Sequence, residues 1–164
     1  MSVSIRLATE DDLPAINEIY NHYVRHSTCT FQTEDEPLEG RLTWFRQRDA
    51  RLPVTVAEVG GVVVGWGSLS KFKPRAAYDR TVENSIYVAH EALGRGYGRM
   101  ILEDQLGRAK AIGHRVVLAV IAADQQPSVV LHERYGFTLM GTMHNVGFKF
   151  DRWLDVQIWQ KQLW

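Results

Sequence analysis

Apolar positions change their spacing several times along the chain, and each change marks an element. Residues 3–8 (VSIRLA) alternate and read as a short strand. Thr9, with Asp12 three residues on, resembles a capping box with acids in the first turn. Beyond it Leu13, Ile16, Tyr20, Tyr23 and Val24 recur at helical spacing, the signature of a helix with one buried stripe. Segment 28–36 (TCTFQTEDE) is irregular, and Leu38, Leu42 and Phe45 mark a second amphipathic helix running to about Arg48. The β-rich runs 54–59 (VTVAEV) and 62–69 (VVVGWGSL) flank Gly60-Gly61, which signals a hairpin. Gly65 and Gly67 inside the second run predict a bulge or a close backbone approach.

A basic, aromatic loop at 71–80 leads into a strand at 81–88 (TVENSIYV). Three glycines at 94, 96 and 98 follow, then a helix over 98–112 and a strand over 115–122. A short helix over 127–135 and strands near 137–142 and 154–162 complete the chain. Gly113 and Gly136 stand where helix C-terminal caps are expected. The order β-α-α-β-β-β-α-β-α-β-β predicts an α/β (α+β) fold: one mixed, mostly antiparallel sheet flanked by helices, with a right-handed crossover over 81–121. With no linker, repeat or low-complexity tract, residues 1–164 read as a single domain.

Composition narrows the partners. Nineteen basic residues balance nineteen acidic ones, so no global field favours nucleic acid or an anionic membrane. A single cysteine, Cys29, leaves no disulfide framework and no metal cluster. No apolar run has the length of a signal core or a membrane span, and the expectation is a soluble, cytoplasmic protein without a metal. Any bound anion must be held locally.

The local arrangement is SIYVAHEALGRGYGRMILEDQLGRAKAIG, residues 85–113. Leu102, Leu106, Ala109 and Ile112 share a helix face, so that helix begins near Tyr97–Arg99. Helix N-termini present unpaired N–H groups and partial positive charge, and glycines ahead of one let those groups converge on an anion. Arg95 and Arg99 add charge beside them, so a phosphate or diphosphate is expected. Neither nucleotide fingerprint fits, because position 99 is Arg where the dinucleotide motif needs Gly and GYGRMI lacks the Lys-Ser/Thr of a P-loop. On the loop alone, a glycine-rich connection without a ligand stays open.

LGRGYG (93–98) resembles the [QR]-x-x-G-x-[GA] diphosphate motif of the GNAT superfamily of acyl-CoA N-acetyltransferases, with Leu93 in the Gln/Arg place. RLATEDDLPAINEIYNHYV, TVENSIYV, GRGYGRMIL, PSVVLHERYGF and VGFKFDRWLDVQIWQ together resemble its phosphinothricin and methionine sulfoximine N-acetyltransferase subfamily over nearly the whole chain. The resemblance implies a GNAT-like fold, acetyl-CoA as co-substrate, a small-molecule amine acceptor and a homodimer. It also implies that Gly94, Arg95, Gly96, Tyr97, Gly98 and Arg99 cradle the diphosphate. The backbone of Ile86, Tyr87 and Val88 is expected to hold the pantetheine arm, with Gln125 and Ser128 as further cofactor contacts.

Acetyl transfer to an amine needs a base and a way to protonate the leaving thiolate. Alternation puts Thr81, Glu83, Ser85 and Tyr87 on one strand face and Val82, Asn84, Ile86 and Val88 on the other. A carboxylate inside a strand is unusual, and Glu83 is the expected base, a solvated edge residue being the bland alternative. His132 stands where the wider superfamily often has Tyr; it is expected as proton donor or pantetheine-side contact, against a purely structural histidine. Arg75, with Lys73 and Tyr78, is expected to capture the acceptor's carboxylate or phosphinate, unless the loop is simply solvated. Phe31 and Ser85 complete the expected acceptor site. Methionine sulfoximine, methionine sulfone and phosphinothricin are the acceptors the resemblance implies. Another amine, or a non-catalytic acyl-CoA sensor, is the rival.

Overall fold

Strand alternation and helical stripes assemble around a seven-stranded sheet in the computed structural model, which describes residues 2–164. The strands are β1 (Val3–Leu7), β2 (Val54–Val59), β3 (Val62–Lys71), β4 (Thr81–Val88), β5 (Val116–Ala122), β6 (Thr138–Lys149) and β7 (Arg152–Gln162). Their spatial order is β1-β2-β3-β4-β5-β7-β6, and only β4 and β5 run parallel. The helices are α1 (Leu13–His26), α2 (Leu38–Arg46), α3 (Tyr97–Ile112) and α4 (Gln126–Arg134). This is the mixed, mostly antiparallel architecture expected from the element order.

The side-chain period of two sorts the helices onto two faces. On one, Trp66, Ser68 and Ser70 of β3 stand beside Tyr87, Ser85 and Glu83 of β4, under α1 and α2. On the other, Asn84 of β4 meets Gln105 of α3 and His132 of α4. The capping signal at Thr9 is real: the Asp12 carboxylate accepts the Thr9 N–H at 2.8 Å and binds Arg6 at 2.7 and 2.8 Å. It opens a short 3-10 turn, Glu10–Asp12, that leads straight into α1.

Gly65 and Gly67 mark a close approach, and the expected bulge lies in β3 as well: Ala57 pairs with Gly65 and Glu58 with Val63, so Val64 is the extra residue. A Cβ on Gly67 would stand 2.6 Å from Ile101 Cγ2 and 2.5 Å from Gln105 Nε2, so α3 lies directly on bare β3 backbone.

The C-terminal strands are longer than their sequence suggests. β6 and β7 form one hairpin whose two-residue turn is Phe150-Asp151, with φ of 53° and 56°. Such a turn normally carries Asn-Gly or a similar pair, so nothing in Phe-Asp announces it. A register shift between Met143 and Gly147 also breaks the alternation, which is why the predicted strands stopped at 142 and resumed at 154.

The contact beneath Gly67 yields a stability test. Gly67→Ala is expected to lower unfolding free energy by about 1–3 kcal/mol through overpacking against α3, read from the denaturation midpoint.

Candidate active site

β4 and β5 pair at only three rungs, Thr81–Val116, Val82–Val117 and Glu83–Leu118, although both strands continue beyond. The separation leaves a slot lined by Ser85, Ile86 and Tyr87 on one side and Ala119, Val120 and Ile121 on the other. Antiparallel pairing on the opposite edge of β4 decides which backbone groups face that slot. Ala89 N–H donates to Val64 O at 2.9 Å, so by alternation the backbone groups of Tyr87, Ser85 and Glu83 bond β3. Those of Ile86 and Val88 point towards the slot, and Val88 O accepts the Tyr23 hydroxyl. Of the three residues expected to bind an arm through their backbone, Ile86 and Val88 present that edge. Tyr87 contributes a wall.

At one end of the crossover, Gly94 and Gly96 adopt φ of 77° and 84°. Gly96 caps α3, and the first intrahelical bond is Met100 N–H to Gly96 O, which leaves the N–H groups of Tyr97, Gly98 and Arg99 without an intrahelical acceptor. A Cβ built on Gly94 or Gly96 would meet nothing within 4 Å, so the loop presents open backbone. The slot also holds an orphan: Asn84 Oδ1 is buried without a donor among the described residues. Open N–H groups at one end and an unpaired acceptor inside suit a ligand with anionic and amide groups.

A second space adjoins the first. Tyr20, Gln32, Glu36, Arg41, Trp44 and Trp66 surround it, and Ser68, Ser70, Ser85 and Tyr87 form its sheet side. Ser85 and Tyr87 therefore wall both spaces. Glu83 is one alternation from Ser85 on the same face, opposite Ser70. Its side chain has no hydrogen bond or ion pair among the described residues, and burial raises its pKa above the usual 4.5.

His132 lies on the opposite face of the sheet, 4% exposed. Its Nδ1 is 2.8 Å from Ser128 O, an acceptor, so that nitrogen carries the proton; Nε2 then accepts from Asn84 Nδ2 at 2.9 Å. Burial lowers its pKa, which keeps the ring neutral at neutral pH. Both nitrogens are engaged, so the ring borders the slot beside Ser128 with no proton to spare. Gln125 also borders the slot, with its amide donating to Thr28 Oγ1 at 2.8 Å.

The loop residues lie elsewhere. Lys73 is exposed with its ammonium 5.1 Å from the Phe72 ring and 5.6 Å from the Tyr78 ring, and Arg75 is exposed at the start of the turn Ala76–Tyr78. None of Lys73, Arg75 and Tyr78 lines the acceptor-side space. Phe31 lies against Gly147 of β6 rather than in that space, whereas its neighbours Cys29 and Gln32 reach the slot and the second space respectively. Arg41 is the residue the sequence reading missed. It falls between Leu38 and Leu42 on the apolar stripe of α2, a charged residue where an apolar one belongs, and that misfit is the signal.

A crossover helix capped by open glycines, beside a sheet split down its middle, defines the class of acyl-CoA-dependent acyltransferases. A family model described as an acetyltransferase (GNAT) domain matches residues 5–158, and the chain belongs to that family. It is 40% identical to a phosphinothricin N-acetyltransferase of Streptomyces viridochromogenes, over 97% of this chain and 87% of that one. It is 37% identical to an L-methionine sulfoximine/L-methionine sulfone acetyltransferase of Salmonella typhimurium, over 98% and 95%. A phosphinothricin acetyltransferase from Sinorhizobium meliloti, solved in complex with acetyl-CoA, superposes with a TM-score of 0.95 at 36% identity, covering 99% of this chain and 89% of that one. The chain is an acetyl-CoA-dependent N-acetyltransferase.

Glu83 gives this site a pH signature. Its carboxyl binds a proton more tightly in the folded chain than in the unfolded one, so stability falls as pH rises from the usual 4.5 through the raised value. Glu83→Gln is expected to melt above the parent at neutral pH, with the difference closing below pH ~4, as read from melting temperature against pH.

Proposed function

We propose that the enzyme acetylates the α-amine of a small amino-acid-like acceptor, of the methionine sulfoximine, methionine sulfone or phosphinothricin type, by direct attack in a ternary complex. The observation that carries this reading is the shared wall: Ser85 and Tyr87 separate the slot from the second space by a single strand, with Glu83 unpaired beside them. The names of the relatives supply the acceptor class.

The attacking nitrogen bonds to the acyl carbon of acetyl-CoA as the C–S bond breaks, and the second proton that the nitrogen sheds goes to the departing sulfur, so coenzyme A leaves as the thiol. The N–H groups at the start of α3 hold its diphosphate, and the free edge of β4 at Ile86 and Val88 aligns its arm. Asn84 Oδ1 offers that arm's amides an acceptor, and the Val88 N–H points towards the acyl oxygen. An ammonium entering from the second space must lose a proton before its nitrogen can attack, and Glu83 takes that proton, directly or through water. Burial helps: it moves the carboxyl towards neutrality and so makes it a stronger base than a free glutamate. His132 holds Asn84 in place instead of feeding a proton to the thiolate. Direct attack is favoured over an acyl-enzyme because burial pushes the Cys29 thiol up, away from the thiolate a nucleophile requires. Arg75, with Lys73 and Tyr78, is assigned to draw in the acceptor's anion from the exposed loop between β3 and β4, outside the second space.

The exposed apolar side chains of the β6–β7 hairpin, among them Met143, Val146, Phe148 and Trp153, support a homodimer through that face.

Steady-state acetylation of methionine sulfone, methionine sulfoximine and phosphinothricin, alongside a polyamine and an aminoglycoside, tests the reading. The amino-acid acceptors are expected to be preferred. Glu83→Gln is expected to lower kcat by about 10²–10⁴-fold and to abolish the fall in rate on acidification, while acetyl-CoA affinity by calorimetry stays unchanged. No turnover of any amine by the parent enzyme favours a binding sensor and overturns the proposal.

A further inference from the structure

Arg41 is a buried cation, 6% exposed, with no ion-pair partner among the described residues, and its donors are left largely unfilled. Its guanidinium carbon lies 4.5 Å from the Tyr20 ring centroid, 4.8 Å from Trp44 and 5.4 Å from Trp66. One nitrogen, Nε, donates to Asn17 Oδ1 at 3.2 Å. Among the described residues, neither Nη nitrogen has a hydrogen-bond acceptor and no carboxylate lies within 4.0 Å of the group. The adjacent Glu36 attracts it at longer range, and its own Oε2 accepts from Gln32 Nε2 at 3.1 Å.

Other buried or half-buried cations here are satisfied. Lys149 donates to Ser27 O and Thr30 O at 2.7 and 2.8 Å, and Arg48 donates to Leu52 O, Leu69 O and Ser70 Oγ. Arg41 alone carries an unfilled fork into the second space, shared with Ser68, Ser70 and Ser85. Stacking on aromatic faces holds a guanidinium plane but does not fill its in-plane donors, and a buried cation without a counter-charge is destabilising by several kcal/mol. Burial already presses its pKa below the arginine norm, yet a guanidinium stays charged at neutral pH.

We propose that Arg41 is the anion-reading residue of the acceptor site, its free Nη pair binding an oxoanion of the acceptor, carboxylate or phosphinate, in bidentate fashion. The inference deepens the acceptor assignment above and rests on it. Arg41 touches substrate inside the pocket, whereas Arg75 acts from the exposed loop outside it. The aromatic cage fixes the fork before the ligand arrives, so little side-chain freedom is lost on binding. An amine without an oxoanion leaves the fork unfilled, and the site rejects it for that reason.

The test compares the parent enzyme with Arg41→Lys and Arg41→Gln on three acceptors: L-methionine sulfone, its methyl ester, and L-norleucine, which keeps the carboxylate and lacks the polar head. Arg41→Gln is expected to raise KM for methionine sulfone by about 10–100-fold, with kcat and acetyl-CoA affinity little changed, and Arg41→Lys is expected to fall between. If the carboxylate is the group read, the penalty persists with norleucine and vanishes with the ester; a penalty that persists with the ester and vanishes with norleucine follows the uncharged sulfonyl head and overturns the anion assignment. Equal effects on all three acceptors in a variant that still binds acetyl-CoA overturn the proposal and make Arg41 a packing residue. If the variants fail to fold, the parent enzyme answers by NMR. The side-chain resonance of Arg41 is expected to shift when methionine sulfone is added to the coenzyme A complex, and an unmoved resonance at saturation overturns the proposal. A parent enzyme that acetylates no amino acid at all refutes the acceptor assignment instead, an outcome visible before any variant is made.

Discussion

The site exists because two parallel strands stop pairing. β4 and β5 are bonded through Glu83–Leu118 and then separate, which exposes a strand edge in the middle of a sheet. An interior edge without a partner is costly unless something fills it, since backbone N–H and C=O groups are obligatory hydrogen-bonding groups. Here the Tyr23 hydroxyl takes one carbonyl and Cys29 and Gln125 border the gap, which leaves the rest of the edge for the acetyl-CoA that the enzyme uses. The alternate β4 residues Ser85 and Tyr87 bond β3 through their backbone and wall the second space with their side chains, because a strand sends its side chains perpendicular to its backbone groups. One strand thus serves donor and acceptor through two orthogonal sets of atoms.

Around that split, the two sheet faces take different tasks. The α3–α4 face holds the polar set Asn84, Gln105 and His132, joined by hydrogen bonds that leave the buried Asn84 Oδ1 without a donor among the described residues. The α1–α2 face holds aromatics, Tyr20, Trp44, Trp66 and Tyr87, packed edge-to-face or stacked around Arg41. Glu83, read from the sequence as the base, and His132, read as proton donor or pantetheine-side contact, are consequently separated by the sheet. The carboxylate lies on the α1–α2 face and the imidazole on the α3–α4 face.

Much of the frame was legible in the chain. Periodicity located α1, the Gly60-Gly61 hairpin and α3 because each presents a clean apolar stripe or a glycine turn. The cradle was legible because glycines ahead of a helix have a direct electrostatic meaning. The β6–β7 hairpin was not, because its left-handed turn is made by Phe150 and Asp151 and its alternation is interrupted near Asn145. The acceptor side was harder still. Lys73, Arg75 and Tyr78 drew attention by their density of charge, yet exposed charge is the common fate of loops. Arg41 was overlooked because one residue inside an apolar stripe looks like noise until its surroundings are known.

Lys149 links distant parts of the polypeptide. Its ammonium, 5% exposed, grips the carbonyls of Ser27 and Thr30 from the tip of the β6–β7 hairpin, and Phe31 rests on Gly147 close by. During synthesis Ser27 and Thr30 emerge early, while their clamp arrives more than a hundred residues later. The wall that carries Cys29 and Gln32 therefore gains its clamp only once translation has passed the hairpin, which ties completion of the substrate chamber to the last part of the chain to be made.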